Sequence, residues 1–117
     1  MFVITRQDIS PGLQCSQIVH ASDQFKYEHP TDHESWFRNS NYLAILSVKN
    51  ESELLSLVEK VCSHNLVHST FSEPDLNNEL TAIAVAPSKA AKKLFSSLPL
   101  ALKEFSKKQI GKEVVYE

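Results

Sequence analysis

The chain has 117 residues, of which 42% are hydrophobic and 22% charged, the size and composition of one folded domain. Its formal net charge of -2 argues against a strongly basic nucleic-acid module. No apolar run approaches the roughly 18 residues of a membrane helix, and the N-terminus has no secretory signal pattern. We therefore expect a cytoplasmic protein without a membrane segment. We treat residues 1–117 as a single domain, in which residues 109–117 form either an added strand or a loose tail.

Charge is unevenly distributed along this chain. Residues 1–87 contain 5 Lys/Arg and 11 Asp/Glu, whereas residues 88–117 contain 7 Lys and 3 Glu. The basic end, which includes Lys89, Lys92 and Lys93, could contact a phosphate backbone. A solvated helix face would produce the same pattern, so the sequence leaves both interpretations open.

The first predicted strand, residues 2–5, leads through a polar turn into a helix. Ser10 is a suitable N-cap for that helix, and Pro11 suits its first position. His29 ends it, because a residue before proline disfavours the helical conformation. Helical spacing predicts an inward face formed by Cys15, Ile18, Val19, Ser22 and Phe25.

The remaining elements follow from apolar runs and capping residues. A capping box predicts one short helical turn near residues 31–34. Trp36 beyond it either closes an edge of the core or lies at a partner surface. The run at 42–48 predicts a strand covered on both faces. A helix, two further strands and a last helical region follow, at 51–63, 66–71, 80–86 and 88–97, with a second short helix at 100–107.

The order of these elements predicts the fold class. Strands that alternate with helices pair in parallel through crossovers, whereas the short turn before residue 80 requires one antiparallel pair. We therefore predict an α/β three-layer sandwich with a small mixed four-stranded sheet flanked by helices, in the order β-α-β-α-β-β-α.

Two classes of site are not expected. The five histidines show no metal-ligand spacing, and two glycines cannot form a phosphate-binding or dinucleotide loop. We expect neither a metal nor a cofactor. Cys15 and Cys62 lie in helix-like segments with apolar neighbours, which predicts small buried hydrophobic side chains.

Polar residues near the ends of the first and third strands form the candidate site. His20 could act as a general base or hold a water, Gln17 could orient a carbonyl or a water, and Glu73 or Asp75 could fix the imidazole or take a proton. Structural alternatives exist for each: His20 as a structural histidine, Arg6 and Asp8 as a local pair, and the loop at 73–79 as a solvated turn.

Several segments of the sequence resemble the type-2 peptidyl-tRNA hydrolases. Val3-Ile4-Thr5-Arg6-Gln7-Asp8-Ile9 is similar to the family's first strand, V-x-R-x-D-L. Gly12 followed by Gln17-Ile18-Val19-His20-Ala21 is similar to its first helix, G-K-x-x-A-Q-x-x-H-A. Residues 52–62 and 80–87 resemble the family's later helix and strand, so that the resemblance covers about residues 2–98.

The resemblance implies a function and a set of site residues. Family members cleave the ester between a peptide and the terminal ribose of tRNA, usually as homodimers. It implies catalytic residues His20, Gln17, Glu73 and Asp75, and substrate binding by Arg6 and Asp8. Lys89, Lys92 and Lys93 of the basic segment would then bind substrate phosphates. Leu13 stands where the family has a lysine, and Glu73 stands at the place of the family's aspartate. A divergent hydrolase is the first hypothesis, and a non-catalytic tRNA- or protein-binding module is the alternative.

Overall fold

The computed structural model describes residues 1–103. The predicted tail at 109–117 lies outside this described part of the chain, as does most of the helix predicted at 100–107.

The described residues form four strands and four α-helices. The strands are β1 (Phe2–Arg6), β2 (Ala44–Val48), β3 (His68–Glu73) and β4 (Glu79–Val85). The helices are α1 (Pro11–Glu28), α2 (Pro30–Asn39), α3 (Glu51–Ser63) and α4 (Lys89–Leu94). The predicted order of strands and helices is confirmed. The single turn predicted near residue 31 is a ten-residue helix, α2, because Pro30 suits its first turn and His33 N–H bonds to His29 O.

The four strands form one mixed sheet in the order β2-β1-β4-β3. β1 and β2 are parallel, whereas β4 is antiparallel to both β1 and β3. Both pairing types follow the sequence prediction. At the outer edge of β2, Ser47 N–H donates to Pro99 O and Ala101 N–H donates to Ile45 O, both at 2.9 Å. The segment after α4 therefore covers most of an edge strand that would otherwise expose unpaired backbone groups.

Two hydrophobic clusters lie on opposite faces of this sheet and confirm the three-layer architecture. On one face, residues of α1 pack against alternating small residues of the sheet; this cluster contains Met1, Val3, Ala21, Phe25, Ala82 and Ala84. On the other face, α3 and α4 pack against larger aliphatic side chains of the sheet; this cluster includes Ile4 and Ile83 of the sheet and Leu54, Val61 and Ala91 of the two helices. Trp36 packs against the first cluster, as its core-closing interpretation predicts.

The inward face of α1 differs from the prediction. Its buried residues are Gln14, Gln17, Ala21 and Phe25, whereas Cys15 is exposed and the Val19 side chain is 59% exposed. The side of α1 that faces the sheet differs from the predicted one because Gln17 lies on it. A buried amide is stable when it is hydrogen-bonded, and a prediction from apolar spacing does not include such a residue. Cys62 is exposed as well, so the predicted burial of both cysteines is wrong.

Candidate active site

A β-bulge in β4 determines the geometry of the polar site. Phe71 pairs with Ala82 but Ser72 pairs with Leu80, so Thr81 is one extra residue in β4. Bulges redirect side chains, and here the Thr81 hydroxyl reaches α1, where it donates a 2.5 Å hydrogen bond to Gln17 Oε1. Its carbonyl oxygen accepts a 2.9 Å hydrogen bond from Thr5 Oγ1, which ties the bulge to β1.

Gln17 links the bulge to Glu73 at the end of β3. The Gln17 side chain is fully buried, and its Nε2 donates to Glu73 Oε1 at 2.9 Å. Because the Gln17 oxygen accepts from Thr81 and its nitrogen donates to Glu73, both ends of the amide are fixed. We call Gln17, Thr81 and Glu73 the Gln17 network.

Both carboxylate oxygens of Glu73 accept hydrogen bonds although the residue remains half-exposed. Oε1 accepts from Gln17, and Oε2 accepts from the backbone N–H of Asp75 at 3.2 Å. The Gln17 hydrogen bond is the main cause that holds the Glu73 pKa below its ordinary value of 4.5, followed by the Asp75 backbone bond. Glu73 is therefore ionised at neutral pH and faces solvent on one side.

His20 lies on α1 one helical turn after Gln17 and is exposed. Its ring stacks on Phe71 with 4.5 Å between centroids and 13° between planes. The charge of His20 also contributes to lowering the Glu73 pKa, so the two side chains are neighbours. The structure thus brings together Gln17, His20 and Glu73, three of the four residues predicted to be catalytic.

Asp75, the fourth, contributes through its backbone. It lies in the short 3-10 turn Pro74–Leu76 directly after Glu73, and its side chain is exposed. The Glu73 side chain caps that turn by accepting from Asp75 N–H. The loop at 73–79, for which a solvated turn was the structural alternative, begins with a turn that Glu73 caps.

Arg6 and Asp8 form a separate group with Glu79. The Arg6 guanidinium donates from Nε and Nη2 to the two Asp8 oxygens at 2.8 and 2.9 Å. Its Nη1 donates to Glu79 Oε1 at 2.7 Å and to Leu80 O at 3.2 Å. The guanidinium lowers the pKa of Asp8 below its usual range. The local pairing of Arg6 and Asp8 is the structural alternative raised from the sequence, and we call these three residues the Arg6 clamp.

Neither Leu13 nor a lysine of residues 1–103 supplies a positive charge in contact with Glu73. Leu13 is half-buried in the first turn of α1, and among residues 1–103 no lysine or arginine forms an ion pair with Glu73. Lys26 follows Leu13 on the same helix at about 20 Å along the axis, too far to replace a cation at that position.

The predicted phosphate-binding lysines of α4 are all exposed. Their helix packs on the face of the sheet opposite α1, through Ala91 and Phe95. It follows the carboxyl end of β4, whereas Thr81 lies near the amino end of that strand, roughly 15 Å away. Lys89, Lys92 and Lys93 are therefore separate from the Gln17 network.

No clear sequence signal pointed to Thr81, Phe71 or Glu79. Thr81 stands out only as a polar residue in an otherwise apolar strand, and its orientation depends on a bulge that no residue type predicts. Within the described residues there is no cluster of three metal-ligating side chains. No helix in the same range has the length and hydropathy to cross a bilayer.

Comparison with known families identifies the family of this chain. The model of the family described as peptidyl-tRNA hydrolase PTH2 matches residues 1–101. The chain belongs to the peptidyl-tRNA hydrolase PTH2 family. No curated protein matches it in a direct search. Membership in the PTH2 family covers β1 to α4, and with them the Gln17 network, and supports a peptidyl-tRNA hydrolase-like function in translation.

Proposed function

We propose that this PTH2-family chain hydrolyses the ester between a peptide and the terminal ribose of tRNA, with Glu73 as its general base. One observation carries the proposal: Glu73 is ionised, half-exposed and held at both oxygens by hydrogen bonds. A carboxylate fixed in this way can accept a proton from a water on its solvent side.

The reaction needs one water and no cofactor. Glu73 takes a proton from the water as its oxygen attacks the ester carbonyl carbon, which forms a tetrahedral intermediate with negative charge on the carbonyl oxygen. The intermediate collapses when the bond to the ribose oxygen breaks, and the proton held by Glu73 passes to that oxygen. The products are a peptide with a free carboxyl group and a tRNA with a free hydroxyl.

Gln17 and Asp75 act in this proposal as positioning residues. Gln17 is fully buried, so it cannot touch a substrate and acts through Glu73, which it orients and keeps ionised. The Asp75 backbone N–H orients the second oxygen. Arg6 and Asp8 support the end of the sheet from which Glu73 projects, because Arg6 also bonds to Glu79 and Leu80.

The α4 lysines are suited to bind the phosphate backbone of the tRNA at a distance from the ester. Lys89, Lys92 and Lys93 are exposed, and the distance from them to Glu73 is small beside the length of a tRNA. Their contribution to tRNA binding should weaken steeply as salt concentration rises.

We also propose that the protein is a homodimer, as the family resemblance implies, and that it acts in the cytoplasm. Sedimentation at micromolar concentration tests the dimer, which a single monomeric species would contradict.

Leu13 is the observation that favours the alternative, a tRNA- or protein-binding module without hydrolysis. A leucine offers no positive charge to the oxyanion of the tetrahedral intermediate, and such a charge or donor is worth about 10²–10³ in rate. We therefore expect slow turnover from the natural chain, and an increase when the charge is introduced.

The test compares the parent protein with Leu13→Lys in the release of peptide from peptidyl-tRNA. We expect release above a protein-free blank from the parent, and at least a tenfold faster rate from L13K. Leu55→Lys is the matched control, since Leu55 is an exposed leucine of α3 that receives the same charge elsewhere. Binding of tRNA with no release by either protein would establish the alternative instead.

A further inference from the structure

His20 and Phe71 form a flat aromatic surface. Their planes differ by 13°, whereas in the other aromatic pairs found among residues 1–103 the planes differ by 44° or more. In a parallel stack the inner ring covers one face of the outer ring, and the opposite face of the outer ring is exposed to a ligand. Because His20 is exposed and Phe71 half-buried, the imidazole is the outer ring.

This surface lies directly beside Glu73. Phe71 and Glu73 are two residues apart in β3, so their side chains emerge on the same face of the sheet. Gln17, which holds Glu73, lies one turn before His20 on α1. The exposed face of the His20 ring is therefore beside any molecule whose ester reaches Glu73.

His20 lacks the support that a proton-transfer residue needs. A general base is normally oriented by a third group, and no hydrogen bond to the His20 ring occurs within residues 1–103. Glu73 bonds instead to Gln17 and to the Asp75 backbone. The imidazole is instead held by its stack on Phe71. This contact orients the plane of the ring but provides no hydrogen bond to either ring nitrogen.

We propose that His20, supported by Phe71, stacks on the terminal nucleobase of the tRNA and so positions the ester at Glu73. The identity of the ligand rests on the proposed function, since the ribose that carries the ester also carries that base. Stacking requires only the face of the base and is therefore tolerant of its identity. His20 is a substrate-positioning residue in this account.

The experiment measures binding without hydrolysis. An RNA hairpin with the tRNA acceptor end carries a peptide through an amide in place of the ester, and a second RNA lacks only the terminal base. Affinities at one salt concentration are compared for the parent, His20→Ala and His20→Phe. Tyr27→Ala is the matched control, because Tyr27 is an aromatic residue of α1 that is 84% exposed and lies about 10 Å beyond His20 along the axis.

We expect H20A to bind roughly 5- to 100-fold more weakly than the parent, and H20F to recover most of that loss, because phenylalanine restores the ring without an ionisable group. Removal of the base should weaken the parent by a similar factor and H20A very little, since the two changes remove one contact. Y27A should bind as the parent does.

Three results would overturn the proposal: H20A binding as tightly as the parent, loss of the base weakening both proteins equally, or no binding of the RNA by the parent. A loss in H20F as large as in H20A would contradict it too, and would indicate a role for the imidazole nitrogens. Because the amide RNA is not cleaved, failure of ester hydrolysis would remove the proposed function alone.

Discussion

The Arg6 clamp and the Gln17 network lie at the same end of the sheet but differ in how their charge is used. In the clamp, one buried guanidinium binds two carboxylates and a backbone carbonyl. In the network, a neutral amide, which is itself held by a hydroxyl, and a backbone N–H bind one carboxylate that forms no ion pair among the described residues. Charge that is paired inside the protein stabilises the fold, whereas charge held without a counter-ion remains available to a ligand.

The position of each group on the strands explains this difference. Arg6 is the last residue of β1, and its guanidinium joins Asp8 in the following turn to Glu79 at the start of β4. The clamp therefore connects chain segments and stabilises the sheet end. Glu73 instead leaves the end of the edge strand β3, where, among residues 1–103, its hydrogen bonds come from α1 and its own loop.

Removal of the guanidinium should have the largest effect on stability. Arg6→Met leaves Asp8 and Glu79 without their partner and Leu80 O without a donor. The two carboxylate side chains are 40% and 41% exposed, so solvent compensates in part, and we expect a loss of about 3 kcal/mol, at the low end for a broken buried pair. Urea unfolding measures it.

Arg38→Met is the control for that measurement. Arg38 pairs with Glu34 at 3.7 Å on the surface of α2, and both side chains are more than two-thirds exposed. An exposed pair of this kind contributes less than about 0.5 kcal/mol. If R6M and R38M unfolded at the same urea concentration, the stabilising role of the clamp would be wrong.

Loss of the buried amide should have the next largest effect on stability. Gln17→Leu removes the shorter hydrogen bond of the Thr81 hydroxyl, whose other acceptor is Phe71 O at 3.3 Å, and removes the main donor to Glu73. We expect a cost of about 1–2 kcal/mol. Thr81→Val removes the hydroxyl while it keeps the shape, and leaves only the Gln17 oxygen unpaired. Equal stability of Q17L and the parent would show that the network does not hold α1 to the sheet.

The pH dependence should separate the two groups further. The pKa of Glu73 is lowered below its ordinary value of 4.5, so its base form persists on acidification and kcat/KM should fall only below pH 4.5. In Q17L the main cause of the shift is absent, and the acid limb should move upward towards that value. An acid limb at the same pH in Q17L and the parent would contradict the role of Gln17.

The clamp should respond to pH through stability. The folded-state pKa of Asp8 is lowered below 3.8, so its contribution is fully present above that pH and is lost as pH falls through the folded value. The stability gap between the parent and R6M should therefore be widest above about pH 4 and narrow in acid. A gap that is constant from pH 6 to pH 2 would contradict the ion pair.

Most of the fold could be predicted from the sequence because it depends on local patterns. Ser10, Asn50 and Ser88 each accept from the backbone N–H three residues later, and such N-caps are visible in the chain. The apolar run at residues 80–86 predicted a strand, and β4 lies there. The orientation of α1 could not be predicted, because Gln17 is buried only through partners far away in sequence.

The candidate site was predictable in its residues but not in its connections. Gln17 and His20 share a helix face by spacing, and Glu73 was placed by family resemblance. That Gln17 positions Glu73, however, depends on Thr81, which the bulge in β4 turns towards α1. The pairing of Glu79 with Arg6 could not be predicted either, because the loop at 73–79 contains three carboxylates and the residue type does not show which one Arg6 binds.

The measurement that tests the central claim most directly is single-turnover release of peptide from peptidyl-tRNA by the parent and by Glu73→Gln. Glutamine cannot take a proton from water, and its single oxygen can still accept from Gln17. Its amide nitrogen cannot accept from the Asp75 N–H, so the unfolding midpoint should fall only slightly. Loss of a general base should lower the rate by about 10²–10⁴. A rate in E73Q equal to that of the parent would contradict the account.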